Sequence, residues 1–291
     1  FFMIAFGYVL KKTKIIDDRF QKNLSNLLIT AILPINILAT ANNEFTKEFS
    51  GKLLQAAIIS CSYYIFALTI ITLLCKYVFS KKQRTGIYIT MSVFANTAFL
   101  GFPIVSELYG TEGTLYAIVY NLFFNVFFFT YGVKLLSGEE EIRWKSIFRN
   151  VTAVVSALSI LLFISPFRFP KVIVSTFSDI GSMMVPISMI IIGCGLVNVN
   201  FIEIFKNLYS YLISFIRLIL FPLIMLLILR LLKIDSVLAS TCVLLTALPV
   251  GSLNAVLAEK NDYEPEFANS TVVHSTVLMI FTLPFIIWLL G

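Results

Sequence analysis

Apolar residues run in long blocks through this chain, and short clusters of Lys, Arg, Asn and Gly separate one block from the next. A helix of roughly 20 apolar residues crosses the hydrocarbon core of a bilayer, so blocks of this length predict membrane-spanning helices. Ten segments can be placed. The first is a short run ending at Leu10; the second covers Asn23 to Ala41, the third Leu53 to Cys75 and the fourth Gly86 to Leu108. The fifth runs from Gly113 to Leu136, the sixth from Ile147 to Ile164 and the seventh from Val172 to Val197. Leu208 to Leu232, Val237 to Ala258 and Phe267 to Leu290 complete the set. The first run supplies only ~15 Å of helix, about half a bilayer, and reads as a truncated span rather than a signal peptide. The expected class is an all-α membrane protein.

Two segments are interrupted at mid-length. The fourth holds Asn96-Thr97-Ala98-Phe99-Leu100-Gly101-Phe102-Pro103, and the ninth holds Ala247-Leu248-Pro249-Val250-Gly251-Ser252-Leu253-Asn254. Irregular backbone at membrane depth survives only where protein buries it or where it lines a water-filled cavity. A helix break is therefore predicted at each place. Pro34 in the second segment and Pro186 in the seventh lie 152 residues apart, and Asn121 falls within one residue of His274 at the same offset. These correspondences divide the chain into repeats at 1–136 and 147–291 around a linker at 137–146. Five is an odd number of crossings, so the second repeat must be inverted. Interrupted helices at matching places in inverted halves point to a transporter site near the midplane.

Composition changes the picture by exclusion. With 58% hydrophobic and 13% charged residues, the chain is not a soluble globular domain. The net charge of +6 does not imply nucleic acid, because Lys and Arg stand in the connections. Of the 22 Lys and Arg, fifteen lie in odd-numbered connections or the segment ends beside them and six in or beside even-numbered ones, with Arg217 alone at mid-segment. The positive-inside rule then puts the odd connections in the cytoplasm, including the linker from Gly138 to Lys145, and both termini outside. Cys61, Cys75, Cys194 and Cys242 lack paired spacing and read as small core residues. A single His rules out a His-Glu-x-x-His zinc motif, and no Walker-type phosphate loop is present. Neither an enzyme nor a self-contained ATP-driven pump is expected, and no metal or cofactor, with coupling to protons or sodium left open.

The candidate binding groups are Asn96, Thr97, Ser252, Asn254 and Asn121. An Asn amide offers two donors and an acceptor. In a helix break such groups join free N–H groups and the positive ends of half-helices, which suits a carboxylate. Asn121 and Asn125 are four residues apart and share one helix face. Gly101, Pro103, Pro249, Gly251, Pro34 and Pro186 are read as shaping the interruptions. Arg217, halfway along the eighth segment, is expected to hold backbone carbonyls or Asp179 rather than substrate. His274 is a candidate for proton coupling, weighed against a hydrogen-bonded core role. Glu107 and Glu112 are read as solvated.

These residues resemble the auxin efflux carrier family, over essentially the whole chain. Asn96-Thr97 followed by Gly101-Phe102-Pro103 and Tyr109-Gly110 is similar to the family's Asn-Thr-x-x-x-Gly-Ile-Pro pattern, with Phe102 in place of Ile. Pro34 with Ala41-Asn42-Asn43, Ser178-Asp179 with Gly181, Arg217 with Pro222, and Ala247-Leu248-Pro249 with Gly251 also fit. The resemblance implies an inverted five-plus-five fold like that of sodium/proton antiporters and bile-acid symporters, with the fourth and ninth spans crossing. It further implies an organic anion held at the crossing. The crossover body is implied to move as an elevator against the first, second, sixth and seventh spans. Asn96 carries over as a substrate contact. The expected partners are that anion, the lipid bilayer and a second copy of the chain in a homodimer. A passive channel and a non-transporting ligand sensor are the competing readings.

Overall fold

The computed structural model describes residues 2–40, 47–77, 85–137, 151–165, 167–195, 197 and 205–291. Ala41, Asn42, Asn43 and the linker from Gly138 to Lys145 lie outside them. Among the described residues all regular structure is helical, apart from one two-residue antiparallel bridge between Ala95 and Val250.

The chain opens with α1 (Phe2–Lys12) and α2, which joins Asp18–Leu27, a π-helical turn Leu28–Ile32 and Leu33–Thr40. Next come α3 (Lys47–Tyr77), α4 (Thr85–Val93), the long run α5 (Thr97–Ser137) and α6 (Val151–Ile164). The remainder is α7 (Lys171–Gly195), α8 (Leu208–Leu231), α9 (Ser236–Thr246), α10 (Ser252–Lys260) and α11 (Pro265–Leu290). Among the described residues six runs are long and apolar enough to cross a membrane: those in α2, α3, α5, α7, α8 and α11. Side chains in the connections start several helices. Asp17 Oδ1 accepts the Phe20 N–H, Asn207 Oδ1 accepts the Tyr209 N–H, and Asp235 Oδ1 accepts those of Val237 and Leu238.

The α5 run contains 41 residues, ~60 Å if straight and twice a bilayer core. It is not straight. Gly110 leaves helical geometry at φ 56, ψ −144, a left-handed φ that glycine adopts without strain. Thr97 Oγ1 donates to Asn121 Oδ1 at 2.9 Å, although 24 residues of straight helix would separate them by ~36 Å. The chain therefore doubles back at Gly110, and α5 is a hairpin whose two limbs are the fourth and fifth apolar segments.

The proline expectations need correction. Pro34 does not break the second segment: the π-helical turn Leu28–Ile32 just before it absorbs the missing N–H. Pro186 likewise leaves the seventh segment helical, with a single turn residue at Met183 between Lys171–Ser182 and Met184–Gly195. In the fourth segment the irregular backbone is Phe94 to Asn96, earlier than expected. Thr97–Gly101 is π-helical, and Gly101 and Pro103 sit at the start of the α-helix that follows.

Packing sorts the helices by depth. Every residue of α4 from Gly86 to Val93 is buried, as is every residue of α9 from Leu238 to Thr246. Helices apolar all round belong inside a bundle. Elsewhere one face is left out: Leu54, Ile58, Ile65 and Leu73 on α3 and Leu223, Leu227 and Leu231 on α8 are exposed, as lipid contact requires. At the other side of the bundle α1 lies against α7 at near-backbone distance. A Cβ on Gly193 would stand 2.0 Å from the Ile4 carbonyl oxygen, and one on Gly7 would stand 2.3 Å from that of Ile190.

Candidate functional site

The two interrupted segments meet at their interruptions. Asn96 N–H donates to the Pro249 carbonyl at 3.0 Å, and Gly251 N–H donates to the Phe94 carbonyl at 3.0 Å. Asn254 Nδ2 adds a bond to the same Phe94 oxygen at 3.2 Å and another to Gly251 at 3.0 Å. A short piece of β-ladder thus satisfies backbone groups that neither broken helix can satisfy alone. The crossing is tight. A Cβ on Gly251 would lie 2.7 Å from the Ala95 carbonyl oxygen, so glycine is needed there for close approach.

Four half-helices end at this crossing, two by their C-termini and two by their N-termini. The C-terminal ends belong to α4 and α9, and Arg217 serves both. Its Nη1 donates to the Val93 carbonyl at 2.8 Å and to Tyr63 OH at 2.7 Å. Its Nε donates to the Leu248 carbonyl at 3.1 Å and its Nη2 to that of Leu245 at 3.4 Å. The side chain is fully buried, and no carboxylate pairs with it among the described residues. A helix C-terminus carries about half a negative charge, so one guanidinium balances two of them. Asp179, the alternative partner suggested by the sequence, is exposed and is not among its contacts.

The N-terminal ends belong to α5 and α10. Asn96 caps the first, its Oδ1 accepting the Phe99 N–H at 3.3 Å. Beside them lies a cavity of about 60 Å³ lined by Asn96, Thr97, Asn121, Asn125, Thr152 and Ser252 with apolar neighbours. Asn121 Oδ1 is held by the Thr97 hydroxyl, while its Nδ2 is buried with no hydrogen-bond partner among the described residues. Asn125 Nδ2 is buried and unpartnered in the same way. Among the described residues no ionisable side chain lines this cavity. Asn96 and Ser252 also face a cavity of about 690 Å³, which extends along Phe99, Leu253 and Val272 to Asp18 and Lys22 at one end of the bundle. A third cavity, about 580 Å³, opens beside Gly110, Glu107 and Ser178.

Asn254 departs from the role of binding group expected of it. Its donors are used by the crossing, and it does not line the small cavity. Ser252 takes the position that Asn254 was expected to share. His274 lies apart, fully buried on α11, with Nδ1 2.8 Å from Ser214 Oγ. Glu112 is not simply solvated: its Oε1 accepts the Tyr116 hydroxyl at 2.7 Å and lies 3.7 Å from Lys52 Nζ. Lys52 also pairs with Asp235 at 3.0 Å. Burial raises the Asp235 carboxyl, but the Lys52 ammonium and the Leu238 and Val237 N–H groups outweigh it and hold the group below the usual value. Sequence reading missed Tyr63 and Thr152 as site neighbours. Neither carries a local signal, since the third and sixth segments reach the crossing only in the folded bundle.

The family described as membrane transport protein matches residues 1–287. A protein named uncharacterized transporter from Methanocaldococcus jannaschii is 26% identical over 202 residues, covering 67% of this chain and 66%, just under two thirds, of its own length. Another of that name, from Methanothermobacter thermautotrophicus, is 25% identical over 287 residues, covering 97% of this chain and 93% of its own length. The chain belongs to the membrane transport protein family, the auxin efflux carrier family whose motifs run through its fourth, eighth and ninth segments.

Proposed function

We propose that the protein is a secondary transporter of a small organic anion, a carboxylate by preference, bound where the two interrupted spans cross. One observation carries the reading. Among the described residues, two half-helix N-termini and two buried, unpartnered amide donors, Asn121 Nδ2 and Asn125 Nδ2, converge on a cavity that no ionisable side chain lines. Donors without acceptors suit an anion. With Arg217 balancing the C-terminal ends, the field left at the crossing is the positive one of the N-terminal ends. Asn96, Thr97, Asn121 and Ser252 are the binding groups in this reading, with Asn125 added and Asn254 holding the crossing together.

The architecture is read as ten spans in inverted five-plus-five halves, as in sodium/proton antiporters and bile-acid symporters. The neighbour pattern supports it. α1 packs on α7 while α2 packs on α6, so each half's first span meets the other half's second. The large cavities at Lys22 and at Glu107 lie toward opposite ends of α2, at Ser25 and at Asn36, and the small cavity adjoins the first of them at Ile29, Asn96 and Ser252. We read them as alternate vestibules, exchanged by an elevator movement of the crossing against α1, α2, α6 and α7. The chain would stand with both termini outside.

Counterflow in proteoliposomes tests the function with acetate, pyruvate, malonate, succinate and indole-3-acetate. Saturable uptake accelerated by internal substrate is expected for at least one acid. Linear, unaccelerated flux would indicate a passive channel, and binding without flux a sensor.

A further inference from the structure

A second polar constellation lies on the other side of the crossing, and the anion site does not use it. Ser210, Ser214 and Arg217 recur at helical spacing along α8 and are buried. Across from them on α11 stand Thr271, His274 and Ser275. Ser210 Oγ lies 2.8 Å from Thr271 Oγ1, and Ser214 Oγ lies 2.8 Å from His274 Nδ1. Both sides of this seam hold the ninth segment's break. Ser275 Oγ accepts the Val250 N–H at 3.1 Å, and Arg217, one turn beyond Ser214, donates to the Leu248 carbonyl.

His274 is the sole histidine of the chain and is fully buried, and its Nε2 has no hydrogen-bond partner among the described residues. Imidazole is the side chain whose ordinary pKa lies nearest neutrality. Its ring packs against Tyr211 at 4.5 Å and Phe205 at 5.0 Å between centroids, and Tyr211 is itself 41% exposed. The titratable or charged side chains on the helices packed against α11 are Tyr88, Tyr209, Tyr211, Cys242, Arg217 and Arg230 among the described side chains, with Arg230 held at the far end of α11 by the Leu289 carbonyl, and Glu266 lies on α11 itself. Arg217 is committed to three carbonyls and Tyr63. An imidazolium here would be buried with no counter-ion in contact among the described side chains.

We infer that His274 is a proton-binding site tied to the conformation of the crossing. It is neutral in the conformation described, and it takes a proton from solvent on Nε2 when the seam opens. The Nε2–H bond forms as an O–H bond of hydronium breaks and water leaves, and the Nδ1–Ser214 contact persists with Nδ1 as donor. Because Ser275 and Arg217 hold Val250 and Leu248 from the two sides of the seam, parting α8 from α11 displaces the ninth segment's break. Acidification therefore shifts the molecule away from the present conformation. The use of that proton as a coupling ion rests on the transporter reading; the site itself does not.

The experiment needs no identified substrate. With one histidine, ¹⁵N-histidine labelling of the protein in nanodiscs yields a single imidazole to follow by NMR. Its resonances are expected to titrate between about pH 5 and 8. In a Cys61→Ser background, Leu253→Cys reports on the 690 Å³ cavity through its N-ethylmaleimide reaction rate. The ratio of that rate to the rate with His274→Gln added is expected to fall severalfold on acidification, with the NMR midpoint. An imidazole silent across this range, or a ratio flat in pH, overturns the inference. Failure of every acid in counterflow would instead remove the transporter reading and leave these two readouts to decide the proton site.

Discussion

At Asn121 a single hydrogen bond decides what the side chain offers. The Thr97 hydroxyl occupies Oδ1, which leaves the amide nitrogen as the group presented beside the small cavity. A hydrogen bond to a charged partner contributes about 1.5–3 kcal/mol. Asn121→Ala should therefore raise the half-saturation concentration for the transported acid about 10- to 100-fold with folded yield retained. An unchanged value in counterflow would take Asn121 out of the site. Arg217 belongs to a different kind of residue, because its partners are backbone carbonyls and a tyrosine hydroxyl. Arg217→Met would leave the Val93, Leu245 and Leu248 carbonyls unpaired in the core. Each stranded acceptor costs about 1–3 kcal/mol, so a loss of several kcal/mol is expected, read as a large drop in monodisperse yield or thermal midpoint in detergent. Near-normal stability of that variant would show that the guanidinium is not the joint cap of α4 and α9.

Elements here depend on one another for backbone satisfaction. The α4–α5 and α9–α10 interruptions each leave N–H and C=O groups that the other completes, so neither forms stably without its partner. Gly251 sets how closely they approach. Gly251→Ala brings a Cβ to 2.7 Å from the Ala95 oxygen and should destabilise by about 1–3 kcal/mol through overpacking. Wild-type stability and transport of this variant would show that the crossing has room to spare. Away from the crossing, Lys52 ties α3 to the start of α9 through Asp235 and to the α5 hairpin through Glu112. The Asp235 carboxyl is held below its ordinary value. Its stabilising contribution is thus complete above the unfolded value of about 3.9 and is lost as pH falls through the lower folded value. Asp235→Asn should lower the thermal midpoint at pH 7 and bring it closer to wild type at acid pH. An equal difference at both pH values would contradict this linkage.

For the molecule as a whole, the Lys and Arg bias and the positions of the cavities make one statement about sidedness. Lys22 lies at the end of the 690 Å³ cavity, and Glu107 beside the 580 Å³ cavity. If the odd connections are cytoplasmic, a cysteine at Lys22 should be protected from an impermeant thiol reagent added to cells, and one at Glu107 should react. The reverse pattern would invert the proposed orientation. In the orientation proposed, the conformation described opens the crossing toward the cytoplasm, because Asn96 and Ser252 line the cavity that reaches Lys22.

The pattern of apolar blocks determined the all-helical class and the places where helices stand, because membrane length and helical rise leave few alternatives. It also located both interruptions, since Asn, Gly and Pro cannot be placed at random inside such blocks. What it could not determine was how the interruptions are used. Pro34, Pro186 and Pro103 read like breaks, yet the structure keeps helix through all three, because a π turn or a first helical turn dispenses with the missing N–H. Asn96 and Asn254 read as equivalents, yet one caps a half-helix beside the small cavity and the other staples two backbones together. Tyr63 meets Arg217 across 154 residues of chain, a contact with no local signature. Sequence periodicity records which face of a helix is apolar. Only the packed bundle decides which polar group finds a partner and which is left to bind a ligand.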